Sequence, residues 1–304
     1  MNHIHQGTQQ QSSQTTLHNN LKTRPNKSMF VVPSSMRMQK ITTNISYRLD
    51  DDDALLLTIP YVINDMTMLK GMKMKMGISY SSAVMQTVRG LGDVSVIYLR
   101  DIWKDSDIRT RQRLSAGIGI KAPTGTSQAR AASSGRLLAI NMQAGTGSWD
   151  GILLINGTLA FGNHADGGAL WFVAPSLTYQ HATYNSLGYK VGDHLNYDVS
   201  TRYRLSSTFN LKLDVNGIIA QQDQSNGTKD SNTGLIAYQN PMMSMLDNTQ
   251  NTGGHSVFLT PGFQWVAAPS ISISGEYRVP LYQRMNGTQI VTQQWWFLRA
   301  RMAF

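Results

Sequence analysis

From residue 195 to residue 205 apolar and polar side chains take turns: Leu195, Tyr197, Val199, Tyr203 and Leu205 against Asn196, Asp198, Ser200, Arg202 and Arg204. The same period of two runs through Phe209, Leu211, Leu213, Val215 and Ile219, interleaved with Asn210, Lys212, Asp214 and Asn216. It returns in Ile271, Ile273, Tyr277, Val279 and Leu281, set between Ser270, Ser272, Ser274, Glu276 and Arg278. In the run 294–304, Trp296, Leu298, Ala300, Met302 and Phe304 fall on even positions, with Arg299 and Arg301 on odd ones. Successive side chains of a strand point to opposite faces, so each segment has one oily and one polar face.

Length separates two kinds of alternating sheet. Strands of soluble sandwiches have a mode of about five or six residues, whereas these run about ten to twelve, which suits a tilted membrane-crossing strand of roughly 9–11. The strands expected are Met36–Leu49, Ala54–Ile63, Leu91–Trp103, Thr110–Lys121, Trp149–Phe161, Leu170–Gln180, Leu195–Leu205, Phe209–Ala220, Ser256–Val266, Ser270–Leu281 and Gln294–Phe304. Their links alternate in length. The short ones are 50–53, 104–108, 162–168, 206–208 and 267–269; the long ones are 64–90, 122–148, 181–194, 221–255 and 282–293. Short turns on one rim and long loops on the other predict an all-β, antiparallel up-and-down transmembrane barrel with periplasmic turns and extracellular loops. Up-and-down parity then asks for one more upward strand at the beginning, for which Ser28–Val32 is the candidate. That gives about twelve strands, within a range of ten to fourteen, and an even count is usual in bacterial barrels.

Composition narrows this reading. Charged residues make up only 15% against 41% hydrophobic, and no stretch approaches the eighteen or so consecutive apolar residues of a membrane helix. The formal charge is +9, yet the basic residues are scattered through strands without a Lys/Arg block, so nucleic acid is not an expected partner. Cysteine is absent, which excludes disulfides and thiolate metal sites. Residues 1–27, rich in Gln, Thr, Asn and His, read as a polar, poorly ordered extension ahead of a single barrel domain spanning 28–304. The start Met1-Asn2-His3-Ile4-His5 has no basic segment followed by an apolar one; export to an outer membrane requires such a signal, so the chain reads as a processed form.

In a barrel of this kind the polar positions Asp93, Asp101, Arg113, Lys121, Asp198, Arg202, Arg204, Lys212, Asp214, Glu276, Arg278, Arg299 and Arg301 face the lumen. They either select solutes or pair off to fill the interior. The strings Gly90, Gly92, Asp93; Pro123, Thr124, Gly125; and Gly145, Gly147, Trp149, Asp150 read as fold determinants at strand ends, as does the terminal Phe304. Trp149, Trp171, Trp265, Trp295 and Trp296, with Tyr61, Tyr179 and Tyr203, lie near strand ends where aromatic belts form. Met66, Met68, Met72, Met74 and Met76 could offer soft thioethers to Cu(I), but with Lys73 and Lys75 interleaved and no cysteine they read first as an adaptable apolar loop or strand face, and no metal site is expected. Met242, Met243 and Met245 in the longest loop suggest either a greasy outer surface or a loop clasp. The histidines His164, His181, His194 and His255 sit in loops or at strand edges without a nucleophile motif, so neither catalysis nor a cofactor is expected.

Several strings occur in an order found together elsewhere: Ile59-Pro60-Tyr61-Val62, Gly90-Leu91-Gly92-Asp93-Val94, Gly119-Ile120-Lys121-Ala122-Pro123-Thr124-Gly125, and Gly145-Thr146-Gly147-Ser148-Trp149-Asp150. Leu259-Thr260-Pro261-Gly262 and Val279-Pro280-Leu281-Tyr282-Gln283, followed by Asn286-Gly287, continue the series. From about Met36 to Phe304 the chain resembles the outer-membrane transporters of the "MetA-pathway of phenol degradation" family. The resemblance implies a barrel related to channels for hydrophobic substrates. Its partners would be the lipid bilayer with lipopolysaccharide, the barrel-assembly machinery through the C-terminal strand, and a small-molecule solute. Met36-Arg37-Met38, Met66-Thr67-Met68 and Met72-Lys73-Met74-Lys75-Met76 also resemble a Met-rich, metal-resistance-associated subset of that family. Here the chain departs from the subset's pattern: its start carries His3 and His5 rather than a His-rich run, and Leu55-Leu56-Leu57 holds no methionine.

The sequence leaves two function classes standing. One is a passive channel for small hydrophobic or aromatic molecules; the other is a plugged, structural or partner-binding barrel acting through its loops. Copper transport is a third possibility.

Overall fold

Long runs of alternating residues bury one face and leave the other greasy, and the structure resolves that conflict by curling one antiparallel sheet round a polar interior. The computed structural model describes residues 3–7, 9–23, 29–105, 112–132, 135–165, 168–239 and 248–303. In chain order the elements are β1 (His3–Gly7), β2 (Gln9–Ser12), α1 (Ser13–Thr23), β3 (Met29–Arg48), β4 (Asp53–Met74), β5 (Gly77–Val84), β6 (Val88–Leu91), β7 (Ser95–Lys104) and β8 (Arg113–Lys121). They continue as β9 (Asp150–Asn163), β10 (Ala169–Ala182), β11 (Tyr189–Lys190), β12 (His194–Arg204), β13 (Phe209–Ala220), β14 (Gln224–Ser225), β15 (Gly254–Ala268), β16 (Ile271–Ile290) and β17 (Trp295–Met302).

Each wall strand pairs with its neighbour in the order β3-β4-β7-β8-β9-β10-β12-β13-β15-β16, and β17 follows on β16. Every ladder is antiparallel, so this is the up-and-down barrel that the alternation predicts. Tight turns close the short rim. Asp50 Oδ1 accepts the backbone N–H groups of Asp52 and Asp53 at 2.8 and 2.7 Å, and Ser206 Oγ accepts those of Thr208 and Phe209.

Several boundaries differ from expectation. The strands expected over Ala54–Ile63 and Ser270–Leu281 extend to Met74 and Ile290, so the links expected over 64–90 and 282–293 are largely strand, the first holding β5 and β6 as well. Ser28–Val32 is not a separate upward strand: residues from Met29 onward continue β3, which pairs with β4 from Met29↔Met72 to Arg48↔Ala54. The expected reversal at Pro33-Ser34-Ser35 is a register shift instead, since a bulge accommodates proline without ending the strand. The additional strand beside β16 is β1, whose register runs from Ile4↔Ile290 to Gly7↔Met285, above the stretch paired with β17. Residues 3–23, read from composition as a poorly ordered extension, thus contain two short strands and a helix. Leu17 and Leu21 of α1, one turn apart, are fully buried against Phe30, Val32 and Leu69. Lastly, the strand expected over Leu91–Trp103 is broken: β6 ends at Leu91 and β7 begins at Ser95, because Gly92 packs under Pro60 and the backbone of Ala144 while Asp93 turns to a lysine. Thr110, Arg111 and Phe304 lie outside the described residues.

The outer face carries the apolar set. Ile118, Leu153, Ile155, Leu177, Leu211, Leu213, Phe263, Leu298 and Met302 are exposed, as are Trp149, Trp171, Trp265 and Trp296. Trp171 packs against its cross-strand partner Tyr203 at 4.6 Å between ring centroids, and Trp296 against Tyr277 at 4.3 Å. Tyr179 and Trp171 mark opposite ends of the outer face of β10. Their eight-residue separation spans about 20 Å of height at about 3.3 Å per residue and a tilt of about 40°, close to the apolar band of a membrane barrel. Trp295 does not join this belt: it packs on Phe258 and Arg278 instead, because it shares the inward parity of Arg299 and Arg301.

Candidate functional site

The interior is built from polar residues that the strand period turns inward, and they gather into separate groups. Nearest the long-loop rim, Lys121 at the end of β8 lies between two carboxylates, its Nζ 2.7 Å from Asp93 and 2.9 Å from Asp150. The three side chains are 11%, 5% and 2% exposed, so one ammonium is set against two carboxylates away from bulk water. Asp93 also accepts the backbone N–H groups of Gly125 and Thr146 at 3.0 and 2.8 Å and the Thr146 hydroxyl at 2.7 Å. Asp150 accepts from Ser148 Oγ and Gln180 Nε2 at 2.7 and 2.6 Å. Lys121 donates to Thr146 Oγ1 as well.

These bonds fold the 122–148 loop inward. A Cβ on Gly125 would lie 2.7 Å from the backbone of Gly92 and 2.8 Å from that of Gly145, so three motif glycines meet where backbones touch. Gly147 adds a left-handed turn at φ +73°. A Cβ on Gly90 would make only an ordinary contact, with Thr126 Oγ1, so no close approach requires glycine there. Pro123 and Thr124 begin the loop, and Thr124 Oγ1 donates to Gly92 O and accepts from Val94 N. Beyond this point Leu138, Met142 and Ala144 bury themselves against Val62, Met66, Met68 and Val88 of the wall. Asn64 Nδ2 reaches the carbonyls of Met142 and Gln143 at 3.3 and 3.2 Å.

A second contact holds this loop to its neighbour. Arg130 donates through both terminal nitrogens to the two oxygens of Asp230 at 2.8 Å each, and the Tyr238 hydroxyl donates to Ser127 O at 2.5 Å. Burial pushes the Tyr238 phenol up to about 12. The Arg130 guanidinium holds the Asp230 carboxyl well below its ordinary 3.8. A carboxyl whose pKa is depressed on folding stabilises the fold above the unfolded value and loses that contribution as pH falls through the folded one. The clasp is therefore expected to stay shut at neutral pH and to open well below pH 3.8. Pepsin digestion at falling pH checks this: cleavage in 221–253 rises at higher pH in Asp230→Asn than in the parent, and identical profiles would show that the pair does not hold the loop.

Lower down, Glu276 accepts from Lys212 and, at 2.8 Å, from Arg299 Nη1, with Asp214 3.6 Å from Lys212. Beside them Asp198 accepts from Asn216, Asn216 from Thr260, and Thr260 from Arg278 at 3.2 Å. Arg278 stands over the rings of Phe258, Trp295 and Phe297. Asp101 accepts from Ser115 and lies 3.9 Å from Arg113. The short-turn half holds a cavity of about 1130 Å³ lined by Arg48, Asp101, Arg113, Asn156, Arg202, Lys212 and Arg301 among others. A smaller recess of about 390 Å³ adjoins Arg202, Arg204 and Arg301.

The thirteen candidate lumen residues thus fall into four groups. Of the bridging partners, Asn216 stands among the alternating polar positions and Thr146, Ser148 and Thr260 within the quoted strings, but none of these, nor Gln180, is among the lumen contacts expected from sequence. The five candidate methionines separate. Met66 and Met68 are buried in the loop contact with Met36, Met85 and Met142 nearby, whereas Met72, Met74 and Met76 are exposed at the β4–β5 hairpin. Met242, Met243 and Met245 lie outside the described residues. His181 contacts Asp193, His194 the Gly192 carbonyl, and His255 the Tyr197 hydroxyl. Despite its burial, Asp193 is held down to about 2 by hydrogen bonds from Ala182 N, His181 and Lys190.

No protein-family model matches the chain, and no curated protein matches it. Among solved structures, an outer membrane channel from Pseudomonas putida F1 matches at a TM-score of 0.55 and 11% identity, over 99% of this chain and 90% of that one. A FadL homologue from Pseudomonas aeruginosa matches at a TM-score of 0.41 and 12% identity, over 88% and 68%. The first of these shares the fold.

Proposed function

We propose that this chain is a channel of the bacterial outer membrane, passing small apolar or aromatic molecules by passive diffusion along the barrel interior without a cofactor. The observation that carries this reading is the inversion of polarity. Leucine, isoleucine and tryptophan side chains stand exposed outside, while Lys121, Asp150, Asp214 and Glu276 are buried within. Monomeric soluble proteins rarely expose contiguous apolar patches larger than a few hundred Å², whereas a lipid-facing band flanked by aromatics is what a membrane barrel needs. The cavity at the short-turn rim offers room of the size that small-molecule sites use, about 300–1,000 Å³. The shared architecture with the Pseudomonas putida channel supports the same direction. On this reading lipid and lipopolysaccharide surround the outer face, and β17 is the strand offered to the barrel-assembly machinery.

A plugged barrel acting through its loops is the second reading, and the inward 122–148 loop is the observation that favours it. Planar bilayers separate the two. Reproducible single-channel steps are expected from a channel, with phenolic solutes entering protein-loaded liposomes faster than sugars of similar size. A membrane resistance unchanged by inserted protein would assign the chain to the second reading.

A further inference from the structure

In the lumen groups described above Lys121, Lys212, Arg299 and Arg113 each stand at a carboxylate, whereas Arg202 and Arg301 do not among the described residues. Arg202 and Arg204 stand two residues apart on β12 and so share a face, and Arg301 approaches from β17; all three line the 390 Å³ recess near the short-turn rim. Phe172, Arg202 and Arg301 also line the large cavity, so the recess communicates with the lumen. Arg202 Nη1 donates to Gln264 Oε1 at 3.0 Å, and its guanidinium lies 4.4 Å over the Phe172 ring. Both contacts orient the fork without neutralising it.

Among the described residues, no carboxylate stands at ion-pair distance from Arg202 or Arg301. Three of the five acids that line the large cavity have partners of their own, Asp52 with Lys104, Asp53 with Tyr98 and Arg100, and Asp101 with Ser115 and Arg113, and none of the five lines the recess itself. Like charges gathered in a partly enclosed recess repel one another, and an anion placed among them relieves that repulsion. The planar guanidinium matches a carboxylate with two parallel hydrogen bonds. The rest of the wall is mixed: Phe172, Val266 and Ile271 give it an apolar side, beside uncharged polar residues such as Asn210, Gln264 and Ser272.

We propose that this recess binds the carboxylate of a small organic acid, with Arg202 and Arg301 holding the headgroup and its apolar body resting on Phe172 and Val266. The inference rests on the channel reading and deepens it: the solute is an amphipathic organic anion rather than a neutral hydrocarbon.

Calorimetric titration of the full chain in detergent micelles tests it, using benzoate, benzyl alcohol and inorganic phosphate as probes. Benzoate is expected to bind at least about tenfold more tightly than either of the others. Arg202→Gln and Arg301→Gln are each expected to weaken benzoate about tenfold, the loss of roughly one charge-assisted hydrogen bond. Equal affinity for benzoate and benzyl alcohol, or benzoate binding indifferent to both substitutions, overturns the site. Phosphate binding as tight as benzoate overturns the apolar half of the proposal. Heat-modifiable migration on gels reports folding of each variant, and Arg202→Lys, which keeps the charge but loses the fork, replaces Arg202→Gln if that variant fails to fold; an affinity equal to the parent's then overturns the role of the fork. Binding is read without flux. A sealed bilayer with intact benzoate binding removes the channel reading alone, and a conducting barrel indifferent to benzoate removes the site alone.

Discussion

Lys121→Met is expected to be the most damaging single change inside the barrel, lowering its unfolding free energy by about 3–5 kcal/mol, the usual cost of leaving a buried charge without its partner. Methionine keeps the apolar stem and removes the ammonium, so Asp93 and Asp150, both nearly inaccessible, are left facing each other. Protonating a carboxylate or expelling the loop are the two ways to relieve that repulsion. Expulsion is expected to prevail, because Asp93 is also the acceptor for the Gly125 and Thr146 backbone. Urea titration in detergent reads the first effect as a lower midpoint, and bilayer recording reads the second as a larger conductance. Asp93→Asn should cost less, about 1–2 kcal/mol, since it leaves Lys121 paired with Asp150 and removes a charge-assisted hydrogen bond rather than a partner. A Lys121→Met protein with the parental midpoint and conductance would mean that the buried triad neither stabilises the barrel nor holds the loop.

That triad marks the limit of what could be read from the residues. The wall strands were legible because a face turned to lipid and a face turned inward impose a period of two, and each of Leu211, Leu213 and Val215 repeats the signal. Inward orientation of Asp93 and Lys121 follows from the same parity. The pairing of Lys121 with Asp150 needs the register of the β8–β9 ladder, where the two stand opposite each other, and the bonds from Gly125 and Thr146 to Asp93 need the loop to fold back through a stack of Gly92, Gly125 and Gly145, contacts that leave no hydrophobic trace. Parity misled at Ser28–Val32 for a related reason: it asks for one more strand without saying where the chain reverses, and only the ladder with β4 shows one strand running on from Met29 with a register shift between Pro33 and Ser35. In residues 3–23 the burial of Leu17 and Leu21 is tertiary, made by β3 and β4, so local composition rich in Gln and Asn gave no hint of it. Trp295 and Trp296 both read as belt residues because they are aromatic and near a strand end, although the period of two already sets Trp295 with Arg299 and Arg301; the register with Arg278 and Tyr277 confirms the division.

The medium outside the sheet can be tested by a pair of substitutions that surface accessibility alone would score alike. Leu213, in the middle of β13, is 48% exposed, and Leu235, in the 221–253 loop, is 43% exposed. In water an arginine at either place would be nearly neutral, within about 0.5 kcal/mol, as surface changes usually are. With lipid against β13, Leu213→Arg is expected to cost about 2–4 kcal/mol, the penalty for arginine near the bilayer midplane, while Leu235→Arg stays near zero in the aqueous loop. Equilibrium refolding into lipid vesicles measures both on one scale, and the difference between the variants cancels errors in the absolute stability. Neighbouring Lys212 sharpens the contrast: one residue away along the strand, a native cation is accommodated by Glu276 on the inner face. Opposite tolerance at adjacent positions is the signature of a wall with lipid on one side and a polar lumen on the other. If Leu213→Arg and Leu235→Arg refold into vesicles with equal midpoints, the outer face of β13 does not meet lipid and the membrane reading fails with it.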